Sequence, residues 1–140
     1  MAAMVSGGGA MTDQQWKVFF ETCARVLGAG DRDAGRSLSW CAWTTFTSLA
    51  TDVNYWKSGV PHADDVDAGF IKDSGVWGQP FLYRDLAHII IPREFFWETG
   101  ELSSYRNGTR QQDITALSTE LTALGIDHRL THLVLEVKLY

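Results

Sequence analysis

Apolar residues recur along this chain in two rhythms, and the switches between them outline a fold. Trp16, Phe19, Phe20, Cys23, Val26 and Leu27 return at spacings of three and four, the period of a helix with one buried face. Thr12-Asp13-Gln14-Gln15 reads as a capping box before them, with Met11 and Trp16 in the staple positions. Gly28 and Gly30 offer the left-handed stop. The spacing predicts a helix over 13–27. A second helical run, Ile114, Leu117, Leu121 and Leu124, follows Thr109-Arg110-Gln111-Gln112, which matches the same box. Gly125 then fits the position after the helix, with Ile126 as its apolar companion.

Between the helices the pattern changes to extended chain. Leu38, Trp40 and Ala42 alternate, and the spacing predicts a strand reaching about residue 47. Phe46, Leu49, Ala50, Val53 and Trp56 then leave strand and short helix both open. Residues 57–69 form a long polar stretch, the kind of loop that is functional or mobile in a compact domain. Residues 81–83 and 86–91 read as strands, and Ile89-Ile90-Ile91, apolar on both faces, suits a buried central strand ended by Pro92. Residues 93–98 fit a strand or a helical turn, and 99–108 a polar loop. Leu133, Leu135, Val137 and Leu139 alternate with Val134, Glu136, Lys138 and Tyr140, a half-buried closing strand. Helix, several strands, helix, strand is the order of an α+β fold. We therefore expect a mostly antiparallel sheet with two principal helices packed on one face. The domain spans 12–140, after a disordered leader or tag over 1–11 in which Gly7, Gly8 and Gly9 have nothing to bury.

Composition narrows the classes. The 140 residues suit one domain, and 45% hydrophobic with 21% charged residues is ordinary for a globular chain. The 12 basic and 17 acidic residues give 12 − 17 = −5, the wrong sign for a nucleic-acid surface and the right one for a basic protein partner. No apolar run approaches the ~20 residues of a membrane span, and the first residues lack the basic and apolar regions of a secretory signal. The expected compartment is the cytoplasm, so Cys23 and Cys41 read as reduced thiols.

Catalytic motifs are sparse. There is no phosphate-cradling glycine loop and no GxSxG elbow. His62, Asp64, Asp65 and Asp67 put an imidazole and three carboxylates in one short stretch. Hard cations favour such oxygen clusters, but the glutamate a calcium loop needs further on is missing. The plain reading is a solvated acidic loop. His128 and His132 lack the HExxH context of a zinc site, and Trp40 and Trp43 beside Cys41 suggest packing rather than thiol chemistry. His88 reads as a core or edge histidine. We expect no cofactor, no metal and no catalytic residue.

Six tryptophans remain to be placed. Trp16 serves the helix staple, and Trp40 and Trp43 suit the sheet core. Trp56, Trp77, Trp97 and Tyr105 fall at strand ends or beside loops, and aromatic residues are enriched at binding hot spots. Together with Asp64, Asp65 and Asp67 they form the expected partner-binding set.

The segment Gly75-Val76-Trp77-Gly78-Gln79-Pro80-Phe81-Leu82-Tyr83-Arg84-Asp85-Leu86, running into Ile89-Ile90-Ile91-Pro92, resembles a pattern in small bacterial proteins. There a Gly-x-Pro turn leads to an aromatic residue, a basic–acidic pair and a β-branched strand. Such proteins look like the immunity proteins that neutralise polymorphic toxins, and the helix and strand over 109–140 fit the same layout. The resemblance implies a non-enzymatic inhibitor that binds a basic toxin domain directly. Two alternatives stand beside it. One is a metal-binding protein or metal-dependent hydrolase using His62, Asp64, Asp65 and Asp67. The other is a homodimer joined through the aromatic surface.

Overall fold

The computed structural model describes residues 10–31, 37–73, 79–100 and 102–140. Most of the expected leader, and Trp77 with its neighbours 74–78, lie outside these residues. The first helix, α1, spans Asp13–Leu27. Its capping box is formed as the sequence predicts: Gln15 N–H donates to Thr12 Oγ1 at 3.0 Å and Thr12 N–H to Gln15 Oε1 at 2.9 Å. Gly28 ends it with φ +90°, and a Cβ there would stand 2.9 Å from the Leu38 Cβ, so only glycine fits.

Strand β1 (Cys41–Thr45) runs straight into a short helix, α2 (Phe46–Thr51). The expected strand therefore stops two residues early. Thr45 causes the switch, because its Oγ1 accepts from Ser48 N–H and caps the helix. Next come β2 (Trp56–Ser58), a 3₁₀ turn over Ala63–Asp65, and the antiparallel pair β3 (Phe70–Lys72) and β4 (Pro80–Leu82). Strand β5 (Leu86–Pro92) is central, as its triple isoleucine predicts. After β6 (Glu94–Thr99), β7 (Arg106–Gln111) and helix α3 (Ile114–Ala123), the chain closes with β8 (Arg129–Leu130) and β9 (Val134–Lys138). The main sheet has the order β2-β1-β5-β9-β8, all antiparallel, while β6 and β7 pair only with each other. This is the α+β architecture expected.

One core unites α1, α3 and the sheet. Trp16, Phe19, Phe20, Trp43, Tyr83, Ile89, Ile91, Leu117, Leu121 and Leu135 are all buried in it. Phe20 is its hub, with ring centroids 5.1 Å from Phe19, 5.8 Å from Trp16, 6.2 Å from Trp43 and 6.3 Å from Tyr83. The two long helices touch, and Arg25 pairs with Glu120 across them at 2.7 Å. Cys23 and Cys41 are free and buried here. Burial pushes both thiols up, which removes Cys41 as a nucleophile.

The second expected capping box does not form. Thr109, Arg110 and Gln111 belong to β7, and α3 starts at Ile114 with Asp113 as its cap. Pairing with β6 claims those residues first, and Gln112 takes a different task. Buried between strands, its Oε1 accepts from Trp40 N–H at 3.0 Å, and its Nε2 donates to the carbonyls of Trp40 and Pro92, both at 2.9 Å. A side-chain amide thus bonds backbone leading into β1 and backbone leaving β5. The far end of α3 follows the sequence: Gly125 has φ +72°, and Ile126 N–H donates back to Leu121 O at 3.0 Å.

Replacing Gln112 with leucine leaves three backbone groups without their partner. We expect a loss of about 3 kcal/mol or more, at about 1–3 for each of the three unsatisfied groups, read by urea denaturation. A loss below about 1 kcal/mol means that water replaces the amide at no net cost.

Candidate functional site

The acidic loop is pinned rather than free. Val60, Pro61 and Val66 are buried, Gly30 N–H donates to Val60 O, and Val66 bridges to Ile71. Asp64 and Asp67 are exposed, Asp65 is half-buried, and His62 precedes the 3₁₀ turn. Asp67 is held at three points. Its N–H donates to Phe70 O at 2.9 Å, its Oδ1 accepts from Ala68 N–H at 2.7 Å, and its carbonyl accepts from the Tyr83 hydroxyl at 2.6 Å. Among the described residues, no three His, Cys, Asp or Glu side chains gather as a metal requires. His62, Asp64, Asp65 and Asp67 follow one another along the chain without converging.

The loop does meet acids from α1. Burial, then Asp67, Glu21 and Asp13, push the Tyr83 phenol up. Asp13 Oδ2 stands 3.9 Å from the place a Gly69 Cβ would take. One acidic surface therefore joins the first turns of α1 to the loop, which sequence separation hid.

The aromatic candidates divide. Trp56 turns inward, with its ring 5.5 Å from Phe81 and packed against the core. Trp77 lies outside the described residues. Trp97 and Tyr105 belong to one element, the β6–β7 arm. The Trp97 ring lies on Gly108, where a Cβ would stand 3.1 Å from its Nε1, and the Arg110 guanidinium sits 5.0 Å from the ring centroid. That cation–π contact and the bare glycine fix Trp97 to its own hairpin. Tyr105 donates to Glu98 Oε2 at 2.8 Å, and this bond pushes its phenol up.

Register sorts the arm into two faces. Phe95, Trp97 and Thr99 pair with Arg110, Gly108 and Arg106. At the arm's root Phe95 is buried, with its ring stacked on Trp40, and Arg110 donates to Ser37 O. The opposite face carries Glu94, Phe96 and Glu98, paired with Gln111, Thr109 and Asn107. Phe96 is 61% exposed there between the two carboxylates. Glu94 is bonded by Gln111 and Glu98 by Tyr105, so both are positioned. Phe96, Glu94 and Glu98 stand outside the expected partner-binding set, although the alternation E-F-F-W-E is itself a period-two signal with an aromatic residue on each face.

A second cluster lies on the sheet face away from the core. Thr44, His88 and Lys138 share one cross-strand row, and Ala42, Ile90, Glu136 and Arg129 the next. His88 is 8% exposed. Its Nδ1 is 2.8 Å from the Tyr55 hydroxyl, and its Nε2 is 3.7 Å from Glu136 Oε1 with no hydrogen-bond partner. With a carboxylate facing Nε2, the favoured tautomer carries its proton there, so Nδ1 accepts from Tyr55. The Tyr140 ring stands edge-on to the imidazole at 5.9 Å. Burial, then Tyr140 and Glu136, push the Tyr55 phenol up to about 12, which keeps that hydroxyl protonated and a donor.

Compared with known protein families, characterised proteins and solved structures, the chain matches none.

Burial lowers the His88 pKa, with Lys138 acting the same way and Glu136 against it. An unfolded histidine titrates at about 6.5. Below that value the unfolded chain takes up the proton more readily than the folded one, so stability rises with pH through this range. The contribution is complete above about 6.5 and is lost as pH falls through the lower folded value. We expect the urea midpoint to drop between pH 7.5 and pH 5, and to drop less in His88→Gln. An equal drop in both proteins removes His88 as the cause.

Proposed function

We propose that this chain acts as a binding protein of the immunity type, which neutralises a bacterial toxin in the cytoplasm by direct contact, a role that needs no enzymatic step, and that the outer face of the β6–β7 arm docks the toxin. The observation that carries the reading is Phe96, a large apolar side chain held out to solvent between Glu94 and Glu98. Exposed aromatic residues on a stiff support make efficient anchors, because little side-chain freedom is lost on binding. Two carboxylates beside the anchor select a partner pocket rimmed by Lys or Arg, and the net charge of −5 steers such a partner toward the chain. The surface of Asp13, Asp64 and Asp67 adds to that field. A second copy of this chain is a poorer fit, since antiparallel pairing of two β6 edges about Phe96 sets Glu94 against Glu98.

The test is co-expression with the product of the adjacent gene. That product should arrest growth alone and be neutralised by this chain in a stable complex. Phe96→Ala should weaken the complex by about 30-fold or more, the scale of a hot-spot residue at 2 kcal/mol. Glu98→Lys should slow association and flatten its salt dependence. A harmless neighbour, or a complex indifferent to both changes, rejects the reading.

A further inference from the structure

Four hydroxyls on the helices behave alike. Thr22, Thr51, Thr119 and Thr122 each donate to the carbonyl four residues earlier, at 2.7, 3.0, 3.2 and 2.8 Å. That is the usual habit of a helical hydroxyl. Ser118, on α3, departs from it. Its Oγ lies 2.7 Å from Nε2 of His128, in the link that follows the helix. Nδ1 of His128 lies 2.8 Å from the Ile126 carbonyl oxygen. A carbonyl can only accept, so Nδ1 carries the proton. In the neutral ring the lone pair is then at Nε2, and the Ser118 hydroxyl is the donor.

A hydroxyl, an imidazole base and a fixed acceptor behind the base make up the arrangement that activates a serine. Both side chains are half-buried, so a small molecule can reach them. A positive charge stands on the same flank. Thr115 precedes Ser118 by three residues and so neighbours it on the helix surface. Its Oγ1 accepts from Arg93 Nη1 at 3.3 Å, while Arg93 Nε donates to the His132 carbonyl at 2.8 Å. Among the described residues both of these partners of the Arg93 side chain are neutral.

We propose that Ser118 is a nucleophile activated by His128, which accepts the acyl group of a small carboxylic ester. The reading is independent of the docking arm. Ser118 Oγ bonds to the ester carbonyl carbon as its proton passes to His128 Nε2. The bond from carbon to the leaving oxygen breaks, and that oxygen takes the proton from Nε2. The products are acyl-Ser118 and the free alcohol. Water then bonds to the acyl carbon as its proton passes to Nε2, the bond from that carbon to Oγ breaks, and Oγ takes the proton back, which frees the acid and restores the serine.

The full chain is treated with a fluorophosphonate, which phosphonylates activated serines with loss of fluoride, and separately with p-nitrophenyl acetate. Mass spectrometry locates the adduct. We expect one adduct on Ser118, absent in Ser118→Ala, and labelling about 100-fold slower in His128→Ala, the size of a general-base contribution. Added imidazole should restore part of that rate, which a hydrogen bond that merely fastens the helix does not predict. The wild-type chain in urea serves as a control that needs no variant, and its Ser118 should lose its advantage. The proposal is overturned if folded Ser118 reacts no faster than unfolded Ser118, or if imidazole leaves the His128→Ala rate unchanged.

Discussion

The burial of Phe20 is the constraint on which the rest of the molecule depends. Helix α1 presents Trp16, Phe19, Phe20 and Cys23 on one side, all almost wholly buried. Phe20 meets rings from its own helix, from β1 and from the turn before β5. Truncating a buried phenylalanine costs about 3–5 kcal/mol, a large part of the about 5–15 that holds a domain together. That demand sets the register of the sheet. Trp43, Ile89 and Val137 must share the core face, so Thr44, His88, Glu136 and Lys138 fall on the other. A slip of one residue would exchange the two sets and bury an unpaired cluster of charges.

The arm follows from where that core ends. Strand β5 ends at Pro92, and one residue later the chain continues as β6, which pairs only with β7. A lone two-stranded hairpin is marginal in water. This one is held at its root by Gln112, by the Trp40–Phe95 stack and by Arg110. Along its length Trp97 covers Gly108, and the side-chain pairs Glu94–Gln111 and Glu98–Tyr105 tie the strands. Trp97 therefore packs within the arm, and Phe96 is the ring that the arm holds out to solvent.

Sequence patterning reached the elements whose signals are local. Helix α1 with its capping box, the central β5, the end of α3 at Gly125 and the alternation of β9 all rest on spacings within a few residues. It failed where a distant partner decides. The box at Thr109 is plausible until β6 pairs with it. The packing of Trp56 on Phe81, and the joint surface of Asp13 and Asp67, depend on contacts that only the fold makes. Tyr55 with His88, and Ser118 with His128, carry no sequence signal, because separations of 33 and 10 residues are closed only by the fold.

Under the proposed function, the arm beyond its root serves binding and not folding. Phe95 and Arg110 are cross-strand partners, so residues 96–109 can be replaced by an Asn-Gly turn between them without changing the register of the root. The decisive measurement is growth protection by that shortened chain against the adjacent gene product, with its thermal midpoint as control. The account predicts a midpoint close to that of the full chain and protection abolished. Protection retained, or a body that no longer folds, would contradict it.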